Sequence, residues 1–377
     1  MKKFIIFSLS VFSALLFAAT AEYRILTLGD IHFENISYHG TPGIKHRTKY
    51  SQAYADMWKK AMPEIFTTSA KLLDKDVPFI IQLGDFTQGY LSVKEQREKM
   101  LLDSFNTVKS YYPKHKLLFS KGNHDVKAFG PKMTKDKDGK PVPVIIKDKN
   151  GKESVAITDG WDNLTYAKVF SPVIEKELGQ KVSGGNFAFR HGEDLFIFYD
   201  GLCKHSISIS FLKKTLAKYP KNRYVFFITH LPVFACSPGV PGWLVPRSRE
   251  IAGMLFKHNT IVLAAHTHVP SIVKVSDGKG SITQMVASSI GYAWNTGKPF
   301  DYRDKNFDSF YKKLPEKTAN SKRSKGSLDH LKSLKIDTFE LFSNANGFVI
   351  LKVRDNGVDA EFYTDPSGKP AAVKKLK

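Results

Sequence analysis

The chain has 377 residues, which is enough for one large α/β domain or two ordinary ones. Hydrophobic residues make up 42% of the chain and aromatic residues 12%, so it can form a sizeable core. This composition excludes a wholly disordered protein. The formal charge of +21 implies attraction to polyanions such as nucleic acid, anionic glycans, lipid headgroups or phosphorylated substrates, but most of the lysines are scattered, which favours an ordinary solvated surface. Two cysteines are too few for a disulfide scaffold or a cysteine-bound metal.

Residues 1–21 predict a cleaved signal peptide. Lys2 and Lys3 precede an apolar stretch at 4–16, and Ala19-Thr20-Ala21 supplies a small-x-small cleavage pattern. The apolar stretch is shorter than the roughly 20 residues that span a bilayer. We expect a periplasmic or secreted mature chain without a transmembrane segment; an uncleaved anchor is the alternative.

Apolar runs alternate with helical patterns between residues 23 and 268, which indicates βαβ units and a largely parallel sheet. Helices are predicted at 50–73 with a kink at Pro63, and at 93–108, 207–219 and 247–257. Strands are predicted at 25–28, 79–83, 117–119, 195–199, 225–228 and 261–264. Short strands at 271–275, 281–287, 338–341, 348–354 and 358–363 predict a second sheet of antiparallel hairpins packed against the first.

The fold class is therefore α/β, of the α+β sandwich type, with two packed mixed β-sheets flanked by helices. We expect one domain over 22–377 with a β-insertion at 127–159, where Asp138-Gly139 and Asn150-Gly151 mark hairpin turns. The Lys-rich segment 296–335 predicts a basic loop insertion, with a contact for an anionic partner as the alternative. Cys203 and Cys236 each follow an apolar run, so a bridge between neighbouring strands and two unpaired thiols both stay open.

Five short polar blocks follow predicted strands. They are Gly29-Asp30-Ile31-His32, Gly84-Asp85, Gly122-Asn123-His124-Asp125, Thr229-His230 and Ala265-His266-Thr267-His268. Residues two apart in an extended chain face the same way, so Asp30 and His32 form one pair and His266 and His268 another. A carboxylate can bridge two cations, and carboxylate, imidazole and amide groups suit a pair of hard-to-borderline metal ions. Each block alone is weak, but the ordered set predicts a dinuclear metal site at the strand ends.

The ordered set resembles the calcineurin-like metallophosphoesterase family over residues 24–268. One departure is Ala265, which stands where the family usually has Gly. The resemblance implies that one metal is held by Asp30, His32, Asp85 and His268, and the second by Asp85, Asn123, His230 and His266. It further implies hydrolysis of a phosphate ester by a metal-bridging hydroxide.

By the same resemblance, His124 contacts the phosphoryl group and protonates the leaving oxygen, and Asp125 orients His124; the alternative for Asp125 is a turn residue. Purple acid phosphatases carry a Tyr three residues after the bridging Asp, where this chain has Gln88, so an iron(III)–tyrosinate site is not expected. The cofactors are two divalent ions, with Mn, Zn and Fe left open.

These patterns predict an exported enzyme acting on phosphomonoesters or phosphodiesters, with a polyanion contact through its basic surface. Three alternatives stay open: a nuclease or nucleotide phosphodiesterase, a lipid or glycan phosphoesterase at the envelope, and a binding module without catalysis. The substrate, the native metals and the oligomeric state are not determined by the sequence.

Overall fold

The computed structural model describes residues 22–39, 48–73, 76–182, 184–290, 300–343 and 346–377. The predicted signal peptide lies outside the described residues. Within these ranges no helix is both long enough and apolar enough to cross a membrane.

The amino-terminal part alternates strands and helices as predicted. Its elements are β1 Tyr23–Leu28, α1 Thr48–Lys60, α2 Met62–Lys71, β2 Phe79–Gln82, α3 Lys94–Tyr111, β3 Lys116–Phe119 and α4 Asn123–Val126. The kink predicted at Pro63 is a break between α1 and α2, because a proline fits the first turn of a helix but not its interior.

The segment predicted as a β-insertion forms six short strands. They are β4 Lys127–Pro131, β5 Met133–Lys135, β6 Pro141–Pro143, β7 Ile145–Lys147, β8 Glu153–Val155 and β9 Ile157–Trp161. The pairs β4–β9, β5–β6 and β7–β8 are antiparallel.

The remaining elements build the larger part of the molecule. They are α5 Asn163–Leu178, β10 Phe187–His191, β11 Asp194–Phe198, α6 His205–Lys218, β12 Val225–Ile228, α7 Ser248–Leu255, β13 Thr260–Ala264, β14 Ser271–Ser276, β15 Ser281–Val286, β16 Asp301–Asp304, α8 Phe307–Lys312, α9 Glu316–Ala319, α10 Lys322–Lys332, β17 Lys335–Ser343, β18 Phe348–Arg354, β19 Gly357–Tyr363 and β20 Ala372–Lys375. Helix α5 and strands β10 and β20 are absent from the prediction.

Two large mixed sheets are present, which confirms the predicted fold class. One has the order β20-β19-β18-β1-β2-β3 and the other β10-β11-β12-β13-β15-β14-β17-β16. The expectation that the late hairpins form a sheet of their own is wrong. Strand β18 pairs antiparallel with β1, and β15 pairs parallel with β13, so the hairpins extend both sheets by covering free edges of the parallel strands.

Side-chain alternation along β11–β13 divides the core in two. Phe196, Phe226 and Ile261 share one apolar cluster with the six-stranded sheet, and their neighbours Ile197, Phe227 and Val262 belong to a second cluster. Because successive strand residues face opposite sides, these strands are apolar on both faces. The first cluster contains residues of both sheets and of α2, α3 and α5, and residues of α6, α7, α8 and α10 cover the second.

The segment 296–335 is not a loop where the structure describes it. Residues 301–332 form β16 and helices α8, α9 and α10. Phe307 and Phe310 of α8 and Leu328 and Leu331 of α10 are buried against the eight-stranded sheet. The apolar residues at helical spacing outweigh the high lysine content, because the lysines can extend into solvent while the apolar stripe is buried.

The two cysteines are free thiols in the structure. The strands before them, β11 and β12, are neighbours as the bridge requires. Cys236 is buried and Cys203 is half-buried, with the Cys203 Sγ 2.8 Å from Ser208 Oγ. Adjacent strands therefore do not bring these side chains together.

Candidate metal centre

The five polar blocks meet at one edge of the molecule, where the carboxyl ends of strands from both sheets converge. Asp30 and His32 follow β1, Asp85 follows β2 and Asn123 follows β3 in the six-stranded sheet. His230 follows β12 and the His266 block follows β13 in the eight-stranded sheet. Backbone hydrogen bonds join the two sets, for example from Ala265 N to His230 O and from His32 N to Asp85 O.

Three of the predicted ligands form a first donor group. Asp30, His32 and His268 each place a ligand atom within 4.8 Å of the other two. The Nε2 atoms of His32 and His268 are 3.4 Å apart, and their rings are stacked. Two nitrogens held by one metal ion at about 2.1 Å would be separated by about 3.0–3.4 Å, so this spacing fits a shared ion.

The second donor group contains Asp85, His230 and His266, again with ligand atoms within 4.8 Å. His230 Nε2 lies 3.1 Å from His266 Nδ1 and 3.0 Å from Asn123 Oδ1. All seven predicted ligand residues are thus brought to one place. Their role as ligands stays a prediction.

The Asp85 carboxylate lies between the two groups. Its Oδ2 atom is 3.3 Å from His230 Nε2 and 3.9 Å from His32 Nε2, and its Oδ1 atom accepts a hydrogen bond from His124 N at 2.8 Å. The same carboxylate oxygen faces donors of both groups, which is the position that a bridging ligand needs.

The backbone at these blocks is strained. His32, Asp85, His266 and His268 all have positive φ, between 49° and 70°. Such conformations are costly for residues other than Gly and cluster at functional sites. Ala265 is not among the residues with positive φ, so Ala is compatible with the backbone at the position where the family usually has Gly.

Gly122 is required for the close packing of two blocks. A Cβ atom at this position would lie 1.9 Å from Asp85 N and 2.2 Å from Asp85 Oδ1. Any side chain here would displace the carboxylate that connects the donor groups.

Neighbouring carbonyl and hydroxyl groups orient the histidines. His230 Nδ1 donates to Leu83 O at 2.9 Å, since a carbonyl can only accept, and this directs Nε2 toward Asp85. His268 Nδ1 lies 3.0 Å from Ser289 Oγ, which in turn donates to Asp30 O. Ser289 was missed by the sequence analysis, although it follows the apolar run of β15, whose carboxyl end lies at the same edge.

Burial and neighbouring charges together raise the pKa values of some residues of the site and lower those of others. Burial raises the pKa of Asp30. Burial also acts to raise the pKa of Asp85, but the charges of His230, His124 and His32 outweigh it and lower that pKa well below its usual value. Burial and the nearby His230 lower the pKa of His266 to about 3. Against the effect of burial, Asp85 raises the pKa of His230 to about 9.

The chemistry of these donors fits two cations. Asp30 and Asp85 are fully buried, and their ion pairs among the described residues are with histidines rather than with Lys or Arg. Buried carboxylates are costly unless they are paired or coordinate a metal. Carboxylate, imidazole and amide donors suit Mn, Zn or Fe(II). Asn123, His266 and His268 are only half-buried, so the centre is open on one side.

His124 lies at the edge of this centre. Its Nδ1 donates to the carbonyl oxygen of Gln88 at 2.8 Å, and its Nε2 is 4.0 Å from Asp85 Oδ2. The ring packs edge-on against His32 and Tyr90. The backbone of Gln88 could not be identified from sequence, because every residue offers the same carbonyl group.

The expected orientation of His124 by Asp125 is not what the hydrogen bonds show. Asp125 Oδ1 accepts from Thr87 N at 3.0 Å and Oδ2 from Gly122 N at 2.8 Å. Asp125 therefore caps the short helix α4 and ties its loop to the segment after β2, which corresponds to the alternative of a turn residue. Gln88, rather than Asp125, holds the His124 ring.

The sequence profile of calcineurin-like phosphoesterases matches residues 23–270, which is more than half of the chain. The chain belongs to the calcineurin-like phosphoesterase family. No curated protein sequence matches it.

Several solved structures are similar to this phosphoesterase at low sequence identity. PhoD has a TM-score of 0.51 and 12% identity over 96% of this chain and 73% of its own, which supports the fold alone. A purple acid phosphatase from yellow lupin (Lupinus luteus) seeds has a TM-score of 0.49 and 12% identity over 94% of this chain, and the match spans 54% of the lupin chain. A dimetal phosphatase from Danio rerio has a TM-score of 0.38 and 11% identity, covering 94% of this chain and 98% of its own.

Proposed function

We propose that the protein is an exported phosphoesterase that holds two divalent metal ions and hydrolyses phosphomonoesters or phosphodiesters. The observation that carries this proposal is the Asp85 carboxylate, which lies between two groups of metal-type donors. Family membership supports the reaction class. Export rests on the predicted signal peptide.

Asp30, His32, Asp85 and His268 would hold one ion, and Asp85, Asn123, His230 and His266 the other. When bound, the ions would supply an activated water and positive charge for the phosphoryl oxygens. The buried floor formed by Asp30, His32, Asp85 and His230 fixes the donors, while the half-buried residues leave one side open to an ester.

We propose that His124 supplies the proton that the leaving oxygen needs. Because Nδ1 keeps its own proton in the hydrogen bond to the Gln88 carbonyl, Nε2 is the nitrogen that gains and loses the second proton, and His124 would act as an acid in its imidazolium form. Nε2 lies on the side of the ring that faces Asp85. Proton transfer from this atom would make His124 the general acid of the reaction.

The experiment is a metal analysis followed by an ester panel. The mature chain is loaded with Mn, Zn or Fe(II) and assayed on aryl and alkyl monoesters, diesters, nucleotides, DNA and lipid phosphates. We expect two ions per chain and hydrolysis of at least one ester class. Fewer than two bound ions together with no turnover across the panel would contradict the proposal and favour a binding module.

Two substitutions separate the proposed roles. Asp85→Asn should remove metal binding and hydrolysis together, whereas Asp277→Asn, in an exposed turn, is the control. His124→Ala should keep both ions and lower kcat about 10²–10⁴-fold, more for alkyl than for aryl esters, because an aryl oxide leaves without protonation. Equal losses on both ester types would contradict the role of general acid.

A further inference from the structure

The β-insertion, residues 127–161, carries an unusual share of the exposed apolar surface. Nine large hydrophobic residues of the described chain are exposed; four of them lie in the insertion, and a fifth, Leu164, lies just beyond it in α5. These five are Ile145 at 50%, Ile146 at 50%, Ile157 at 45%, Trp161 at 55% and Leu164 at 82% relative exposure. Single exposed apolar residues are ordinary, but this many within one short segment of the chain indicate an interaction surface.

The β7–β8 hairpin has no packed face. Ile145 and Ile146 are adjacent on β7 and point to opposite sides, yet both are half exposed. All of β7 and most of β8 are exposed. An isolated two-stranded hairpin is only marginally stable in water, so apolar residues on both of its faces indicate a surface that covers them.

The insertion also has two lysine-rich hairpin tips whose sequences are nearly identical. Residues 135–140 read Lys-Asp-Lys-Asp-Gly-Lys and residues 147–152 read Lys-Asp-Lys-Asn-Gly-Lys, a short repeat that the sequence analysis missed. The Asp136 carboxylate accepts from Asp138 N and Lys140 N, and the Asp148 carboxylate accepts from Asn150 N and Lys152 N. The two turns therefore have the same structure.

The lysines of the tips are available for an anionic partner. Lys137, Lys140, Lys149 and Lys152 form no ion pair within the described part of the chain, and all four are exposed. Residues 127–161 contain eight lysines and five acidic residues, a net charge of +3. At the base of the insertion, Lys127 lies over the Trp161 ring at 5.2 Å.

The insertion begins at the metal centre. Strand β4 starts directly after the block that contains Asn123 and His124. Tyr90 packs against both His124 and Phe129 of β4, with ring centroids 5.1 Å and 6.1 Å apart. A surface that binds the insertion would therefore lie near the open side of the proposed site.

We propose that the β-insertion docks on an anionic lipid surface. The isoleucines and Trp161 enter the headgroup region, and the lysines of the two tips contact lipid phosphates. A soluble polyanion would use the lysines but leave the exposed isoleucines and Trp161 without a role. The docking surface is distinct from the metal ligands, so it does not depend on catalysis.

The test is flotation of the full mature chain with vesicles of phosphatidylcholine alone or with about 30% phosphatidylglycerol. We expect binding to the anionic vesicles, weaker binding as salt rises, and little binding to the neutral vesicles. Asp85→Asn should bind like the wild type, which separates a failure of docking from a failure of the proposed function. Equal binding to both vesicle types, or to neither, would overturn the proposal.

Two sets of variants localise the contact. The double variant Ile145→Asp/Ile146→Asp should lower partitioning at least about tenfold, whereas Ile207→Asp, an equally exposed residue of α6, should not. Replacing Lys137, Lys140, Lys149 and Lys152 by Gln should have a similar effect. The control replaces Lys312, Lys317, Lys322 and Lys325, four exposed lysines of α8–α10. Loss of binding only in this control would assign the contact to the segment 296–335 instead.

Trp161 provides a spectroscopic readout. Its fluorescence should shift to the blue when anionic vesicles are added, and Trp161→Phe should lose this shift while aryl-ester hydrolysis is unchanged. If the isoleucine variants instead abolish self-association of a chain that does not bind vesicles, the insertion is an interface between copies. That result would overturn the lipid proposal, as would binding of soluble polyphosphate without binding of vesicles.

Discussion

Buried carboxylates at two ends of the molecule have different surroundings. At the carboxyl ends of the strands, the ion pairs of Asp30 and Asp85 are with histidines among the described residues. At the amino ends, Asp194 is also fully buried but is saturated: Oδ1 accepts from Arg223 Nε and Tyr224 N, and Oδ2 from Arg223 Nη2 at 2.6 Å and Tyr23 Oη at 2.5 Å.

The difference separates a structural carboxylate from one that can bind a ligand. Asp194 joins β11 to residues just before β12 and to the first residue of β1, so it connects the two sheets with internal donors. The arginine charge compensates its burial. Asp30 and Asp85 have imidazoles as their partners, and imidazoles can release a proton and coordinate a cation.

The largest expected effect on stability comes from removing Arg223, which pairs with Asp194 at the amino ends of the strands. Arg223→Met leaves Asp194 buried without its charge partner and should lower the free energy of unfolding by about 3–5 kcal/mol, measured by urea denaturation. Arg249→Met is the control, because Arg249 donates to a backbone carbonyl at the exposed surface. A loss of unfolding free energy below about 1 kcal/mol would show that Asp194 does not need Arg223 as its charge partner, and the contrast with Asp30 and Asp85 would then fail.

Addition of a metal ion should stabilise the folded protein through the donors at the carboxyl ends of the strands, independently of the Asp194–Arg223 pair. An ion at a free concentration 100 times its Kd stabilises a folded protein that binds it by about 2.7 kcal/mol. We expect a rise in Tm with Mn or Zn in the wild type and in Arg223→Met, and no rise in Asp85→Asn. Thermal denaturation with and without the ion measures the effect, and an undiminished rise in Asp85→Asn would show that the ions bind elsewhere.

The smallest expected effect is the pH dependence of the stability that the Tyr23 hydroxyl contributes. Burial, and then the charge and hydrogen bond of Asp194, raise the pKa of Tyr23 in the folded chain. Tyr23 stays protonated when the unfolded chain ionises near pH 10, so its contribution is complete below pH 10 and is lost as the pH rises further. The expected slope is about 1.4 kcal/mol per pH unit.

Tyr23→Phe should make the decline of stability above pH 10 shallower than in the wild type. Chemical denaturation at pH 8, 10 and 11 gives the comparison, with the pH 8 value as the reference for the lost hydrogen bond. Parallel curves for the two proteins would show that Tyr23 does not stay protonated at the interface of the two sheets.

Much of the architecture was predictable from local patterns. The predicted strands at 225–228 and 348–354 have the observed bounds, and Pro63 separates α1 from α2. The pairing of β18 with β1 was not predictable, because 348–354 is apolar enough for either sheet and the partner lies far away along the chain. The helices within 301–332 were missed because lysines obscured their short apolar stripes.

The sequence by itself determined the types and order of the proposed metal donors, since each block is a set of distinct side chains placed directly after a strand. Only the tertiary structure decided that Asp85 lies between both donor groups, that Gln88 holds His124 and that Asp125 caps a helix. The physical reason is that a side chain's chemistry is local, whereas the Gln88 carbonyl, the Gly122 amide and the Arg223–Asp194 pair act through positions that long-range packing sets.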